Sequence, residues 1–75
     1  MKITDPMRRC LFLLDCHGAA LRVWYGSRGH EWSWHIDGVA MSRPVDRCLR
    51  AGLVTAESPD RLVLSPLGRR VLQRA

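Results

Sequence analysis

No stretch of the 75-residue sequence approaches the roughly 20 consecutive apolar residues that a bilayer-spanning helix needs. No membrane segment is therefore expected. The apolar run Cys10–Leu14 is too short for the core of a secretory leader, and the residues before it are polar. The expected compartment is the cytoplasm, where Cys10, Cys16 and Cys48 would stay reduced and pack as small apolar side chains. Cys-x-x-Cys and His-x-x-x-His spacings are absent, and Cys10, Cys16 and His17 crowd one segment. No metal site and no cofactor are expected from them. Gly26 and Gly29 follow a strand-like segment without opening a helix, so they do not form a phosphate cradle. No spacing sets a nucleophile beside a base, and a chain this short has little room for a substrate pocket. Catalysis is not expected. Lysine is nearly missing too: of twelve basic residues, all but Lys2 are arginine.

What is present suits one small domain spanning residues 1–75. The hydrophobic fraction of 47% is ample for a folded core. Twelve basic against seven acidic residues leave a net charge of +5 and an isoelectric point near 10.1. Such an excess favours a polyanionic partner. Arginine also presents a planar fork that suits phosphates and guanine edges better than a lysine ammonium.

The apolar pattern predicts an α+β domain with helices at about 6–17, 43–51 and 66–74 and hairpins at about 20–36 and 53–64. Asp5-Pro6 reads as the first helix start, with Asp5 accepting from the orphan amides. Met7, Cys10, Leu11 and Leu14 repeat at helical spacing, and Phe12 and Leu13 extend the apolar surface to a second side. Gly18 ends the helix. From Ala20 to Tyr25 and from Glu31 to Ile36 the period is two, with Gly26-Ser27-Arg28-Gly29 as the turn between. Trp32, Trp34 and Ile36 share one face. Asp37-Gly38 is a turn signal. Ser42 reads as a cap and Pro44 as a first-turn residue, with Val45, Cys48 and Leu49 on the inner side. Gly52 is a left-handed terminator. Leu53-Val54-Thr55 and Arg61–Leu64 flank a turn at Glu57-Ser58-Pro59-Asp60, and Ser65-Pro66 starts the last helix.

From Ser42 onward the chain resembles the winged helix-turn-helix superfamily. The run Ser42–Val54 looks like a recognition helix closing in an Arg50-Ala51-Gly52-Leu53-Val54 step into a wing. The run Leu62-Val63-Leu64-Ser65-Pro66-Leu67-Gly68-Arg69-Arg70 looks like the step from a wing into a final helix, with serine where threonine is usual. The resemblance implies a small winged-helix-like domain. It implies a DNA-binding function, such as a phage or bacterial transcriptional regulator, on duplex DNA. Scaffolds of this kind also serve as protein-interaction modules, so a host or bacterial protein, met for instance by a phage-encoded inhibitor, is the alternative partner. Members usually carry a short helix ahead of the recognition helix. Here residues 31–41 have a period of two, rich in aromatics, which predicts a hairpin in its place.

Arg43, Arg47 and Arg50 carry the DNA expectation. At 100° per residue they fall at about 0°, 40° and 340°, opposite Val45, Cys48 and Leu49 at about 200°, 140° and 240°. Such a stripe can enter a major groove or grip phosphates; as an ordinary solvated face it would hold an Asp46–Arg50 pair instead. Arg61 is the one cation beside the wing tip, whose Glu57 and Asp60 would repel phosphates. Trp24, Trp32 and Trp34, with Arg22 and Arg28 among them, form a second candidate surface. Aromatics interleaved with cations can stack bases or anchor a protein partner, or simply fill the core of a small domain. One strand face cannot bury both Trp24 and Tyr25, so one of them is expected to be exposed.

Overall fold

The computed structural model describes residues 2–25 and 31–73. The expected turn at Gly26–Gly29, with Arg28 in it, lies outside the described residues. Three helices and five strands follow one another as α1 (Asp5–His17), β1 (Ala20–Tyr25), β2 (Glu31–Ile36), β3 (Val39–Ala40), α2 (Ser42–Arg50), β4 (Val54–Ser58), β5 (Arg61–Leu64) and α3 (Pro66–Gln73). The strands form one antiparallel sheet in the order β3-β2-β1-β5-β4. The domain is α+β, with the predicted helices and both predicted hairpins in place.

All three helices draw on one face of this sheet. Ala20, Ile36, Val54, Leu62 and Leu64 point into the core with Met7, Cys10, Leu11 and Leu14 of α1, Val45 and Cys48 of α2, and Leu53. Alternation explains the choice: side chains two apart on a strand share a face. The opposite face carries Leu21, which is half exposed, and Arg61, which is exposed.

The local chemistry of the ends departs from expectation in two places. The cap of α1 is Thr4, whose hydroxyl accepts from the Met7 amide at 3.4 Å. Asp5 already lies in the helix, where its carboxylate meets the positive end of the helix dipole. The predicted second apolar side of α1 does not form: Leu13 packs against the core, but Phe12 is 59% exposed. Asp37 and Gly38 do make the tight turn, with φ of 51° and 78°. That pair of left-handed residues suits a two-residue hairpin, and it returns the chain as β3, a strand the apolar pattern did not reveal. Val39 and Ala40 are both exposed, so they carry no buried alternation to detect.

The end of α2 is tightly specified. Gly52 sits at φ 77°. Its N–H donates to the Leu49 carbonyl, and the Leu53 N–H donates to the Cys48 carbonyl at 2.9 Å. This is the paired closure that a left-handed residue after a helix permits. Ser65 then locks α3 onto the same corner. Its hydroxyl donates to the Gly52 carbonyl at 2.6 Å and accepts from the Gly68 N–H at 3.1 Å, and its own N–H donates to the Leu53 carbonyl. Gly68 is buried against Leu53, and a Cβ there would overlap the Leu53 carbonyl oxygen.

Cys10 and Cys48 are fully buried between α1 and α2, whereas Cys16 is exposed, contrary to expectation. The Cys48 thiol donates to the Met7 carbonyl at 3.7 Å. The neighbouring Cys48 thiol, with burial adding, lifts Cys10 far above the ordinary thiol range. Hydrogen bonding from Cys10 lowers Cys48 against its own burial.

Two outcomes are expected. Gly68→Ala should cost about 2 kcal/mol or more in urea denaturation, because the added methyl meets backbone that cannot move aside; an unchanged midpoint would show that the corner is slack. In a thiol-reagent titration of native protein, Cys16 should react at once, and Cys10 and Cys48 only as fast as the chain unfolds.

Candidate nucleic-acid interface

The outer face of α2 follows from its inner one. Val45 and Cys48 are fully buried, which turns Arg43, Arg47 and Arg50 outward, and all three are exposed. Leu49, expected inside, is 40% exposed and lies at the margin. No ion pair among the described residues involves the three arginines, and the Asp46–Arg50 pair is not formed. The stripe therefore presents three cations that no described carboxylate answers.

Ser42 does not cap α2; Met41 holds that position, with no side-chain bond to the helix. Instead the Ser42 hydroxyl accepts from the Trp34 N–H at 3.0 Å and lies 2.8 Å from the Ser33 hydroxyl. The Met41 N–H donates to the Trp34 carbonyl at 2.8 Å. The side chain of Ser42 thus completes the ladder that β3 begins, and the first turn of α2 is fastened to the outer edge of β2. A cap hydroxyl and a ladder hydroxyl have the same sequence signature, and only the tertiary setting separates them.

The predicted wing falls on the hairpin of β4 and β5. Its strands run closer to the tip than expected, with Glu57 and Ser58 still in β4 and a bulge between Ala56 and Ser58. Arg61 pairs with Glu57 at 3.5 Å, and Asp60 meets Arg22 of β1 at 4.0 Å. The Arg22 N–H also donates to the Asp60 carbonyl. The two tip carboxylates are each offset by an arginine, so this hairpin opposes a polyanion less than its sequence implies. Arg61 in turn is committed to Glu57.

Arg22 also joins the wing to the aromatic hairpin. Its guanidinium lies over the Trp32 ring, 4.3 Å from the centroid. Trp32 stands directly across from Trp24, with ring centroids 4.7 Å apart and planes tilted by 51°. Ala20, Arg22 and Trp24 share a face with Ile36, Trp34 and Trp32. Along that face burial falls away. Ala20 and Ile36 are inside, Trp34 packs against the core edge, and Trp24 and Trp32 keep 41% and 48% of their surface. The tryptophans are therefore not the core; only Trp34 contributes to it. Trp24 answers the exposure expected of it or Tyr25. The hairpin extends past the helix layer as a ledge that bears a cation and two rings.

A groove of about 860 Å³ runs between α1 and the β2–β3 turn, floored by Leu13, Ile36, Val39 and Met41. His17 and Asp37 close toward each other at 3.7 Å along it. Its rim mixes both charges, with Asp5, Arg9 and Arg43. Among the described residues no cluster of histidine, cysteine or carboxylate is grouped to hold a metal ion, and no helix is long and apolar enough to cross a membrane.

Ser42→Ala should remove the hydroxyl that accepts from the Trp34 amide and cost about 1–3 kcal/mol. Amide exchange at Trp34 should accelerate while the Leu53 amide, at the far end of α2, stays protected. Equal acceleration at both would show that the loss is global rather than local. No protein-family profile, curated protein or solved structure matches the chain.

Proposed function

We propose that the protein binds duplex DNA through α2, as a winged-helix regulator of the kind phages and bacteria encode. The observation that carries this is the arginine stripe: Arg43, Arg47 and Arg50 lie exposed on one helix face, opposite the buried Val45 and Cys48, and pair with no carboxylate among the described residues. Three arginines on one such face can fork onto phosphates or guanine edges. The surrounding layout supports this role. The helix is followed directly by the β4–β5 hairpin, β5 returns to pair with β1, and α3 closes the domain. The short helix that usually precedes a recognition helix is replaced by β2 and β3, which fasten α2 by its first turn. Arg61, held by Glu57, contributes less than the stripe. A net charge of +5 draws polyanions toward this surface without sequence preference.

Anisotropy of a labelled random duplex should show binding at low salt. The logarithm of the association constant should fall linearly with the logarithm of salt concentration, by about 0.9 for each phosphate neutralised. Arg47→Ala should weaken binding and, if Arg47 grips a phosphate, shallow that slope by about 1. Absence of duplex binding at low salt would overturn the proposal and direct the search to protein partners.

A further inference from the structure

We infer that the hairpin ledge of Arg22, Trp24 and Trp32 receives unpaired nucleobases, so that the protein prefers duplex ends or junctions bearing a single strand over continuous duplex. The inference rests on duplex binding by α2 and deepens it.

Three observations converge. First, two indole side chains stay half exposed at directly opposed positions on β1 and β2. Exposed tryptophan is uncommon in so small a domain, where large apolar groups are needed inside. Second, the cluster holds a guanidinium against a ring: Arg22 lies on Trp32, 4.3 Å from the centroid, and is shared with the Asp60 carboxylate at 4.0 Å. A surface that combines aromatic area with positive charge complements a base and its phosphate together. Third, the ledge and the arginine stripe are mechanically joined. Ser42, one residue before Arg43, bonds to the Trp34 amide, and Trp32 lies two strand residues, about 7 Å, beyond Trp34. A strand released from a duplex on α2 therefore meets the rings where the helix layer stops. The indole planes are tilted by 51° to each other and so are not closed in a parallel stack. A protein partner would find the same rings, but the net charge of +5 and the arginines of α2, the helix fastened to the same hairpin, favour a polyanion.

The test compares one blunt duplex with the same duplex carrying a short oligothymidine tail, by anisotropy at fixed salt. The tail should tighten binding about fivefold or more, the yield expected of one stacked base. Trp32→Ala and Trp24→Ala should abolish that gain and leave blunt-duplex affinity unchanged, whereas Trp32→Phe should keep most of it. Arg47→Ala should weaken both substrates in proportion. Equal affinity for blunt and tailed duplexes overturns the ledge and leaves duplex binding intact, as does a tail gain that survives both alanine variants with unaltered melting curves. Failure of the blunt duplex to bind at low salt overturns duplex binding and the ledge with it.

Discussion

The placement of α2 depends on one buried hydroxyl. Ser65 is the only buried polar residue among those described, and it serves three backbone groups at once through its side chain and amide: the Gly52 carbonyl, the Gly68 amide and the Leu53 carbonyl. A buried hydroxyl left without partners costs about 1–3 kcal/mol, so its full satisfaction makes the corner a committed geometry rather than a loose contact. Gly52 supplies the left-handed turn that ends the helix, and Gly68 lets α3 come against the backbone just past it. The near end of α2 is held by another serine, whose hydroxyl takes the Trp34 amide. A nine-residue helix is too short to be stable alone. Clamped at both ends and buried along Val45 and Cys48, it becomes a rigid support for whatever its outer face displays.

That outer face gains its meaning from where the other charges go. The three ion pairs of the described residues are all at least partly exposed, and each contributes on the order of 0–1 kcal/mol to stability. Their effect on the field matters more. Glu57 and Asp60 are each matched by an arginine, and Asp37 faces His17, while the cations of α2 meet no described carboxylate. The surplus is shared with Lys2, Arg8, Arg9, Arg69 and Arg70, which also stand in no ion pair among the described residues, but α2 gathers three cations on one face. Over a distance of about 8–10 Å, the screening length near physiological salt, such a concentration governs encounter with a polyanion.

The elements were legible in the sequence wherever one physical signal acted alone. The apolar repeat of Met7, Cys10, Leu11 and Leu14, the glycine terminators and the Asp37-Gly38 turn each have one structural answer. The arginine stripe was legible for the same reason, since two buried residues on a short helix fix its outer side. The failures share a cause: a residue with two possible partners. Thr4 and Asp5 are both good caps, and only the position of the first turn decides between them. Ser42 could serve a helix or a sheet, and the sheet edge took it. Phe12 widens an apolar stripe on paper, but three helices over one sheet face do not reach its side of α1. The tryptophans were ambiguous because periodicity assigns a face without saying how far the opposite layer extends. In the sequence Arg22 is one cation among several, and its place between Asp60 and Trp32 requires the β1–β5 pairing, which joins strands some forty residues apart in sequence.

The strand pair β2 and β3 that stands ahead of α2 has a physical logic. Trp32, Trp34 and Ile36 alternate with the polar Glu31, Ser33 and His35, and an Asp37-Gly38 pair follows, which suits a hairpin and disfavours a helix. A helix in that position would brace the following one by side-chain packing along its length. A strand pair braces it by backbone: Ile36 enters the core, the Trp34 amide and carbonyl reach Ser42 and Met41, and the rest of the hairpin runs on past the helices. A helix bracing α2 would need to bury its apolar stripe against it, whereas a hairpin needs to bury only its base. The remainder is free to carry Arg22, Trp24 and Trp32 into solvent. The hairpin that fastens α2 thus also carries the ledge, at the end of α2 where the arginine stripe begins.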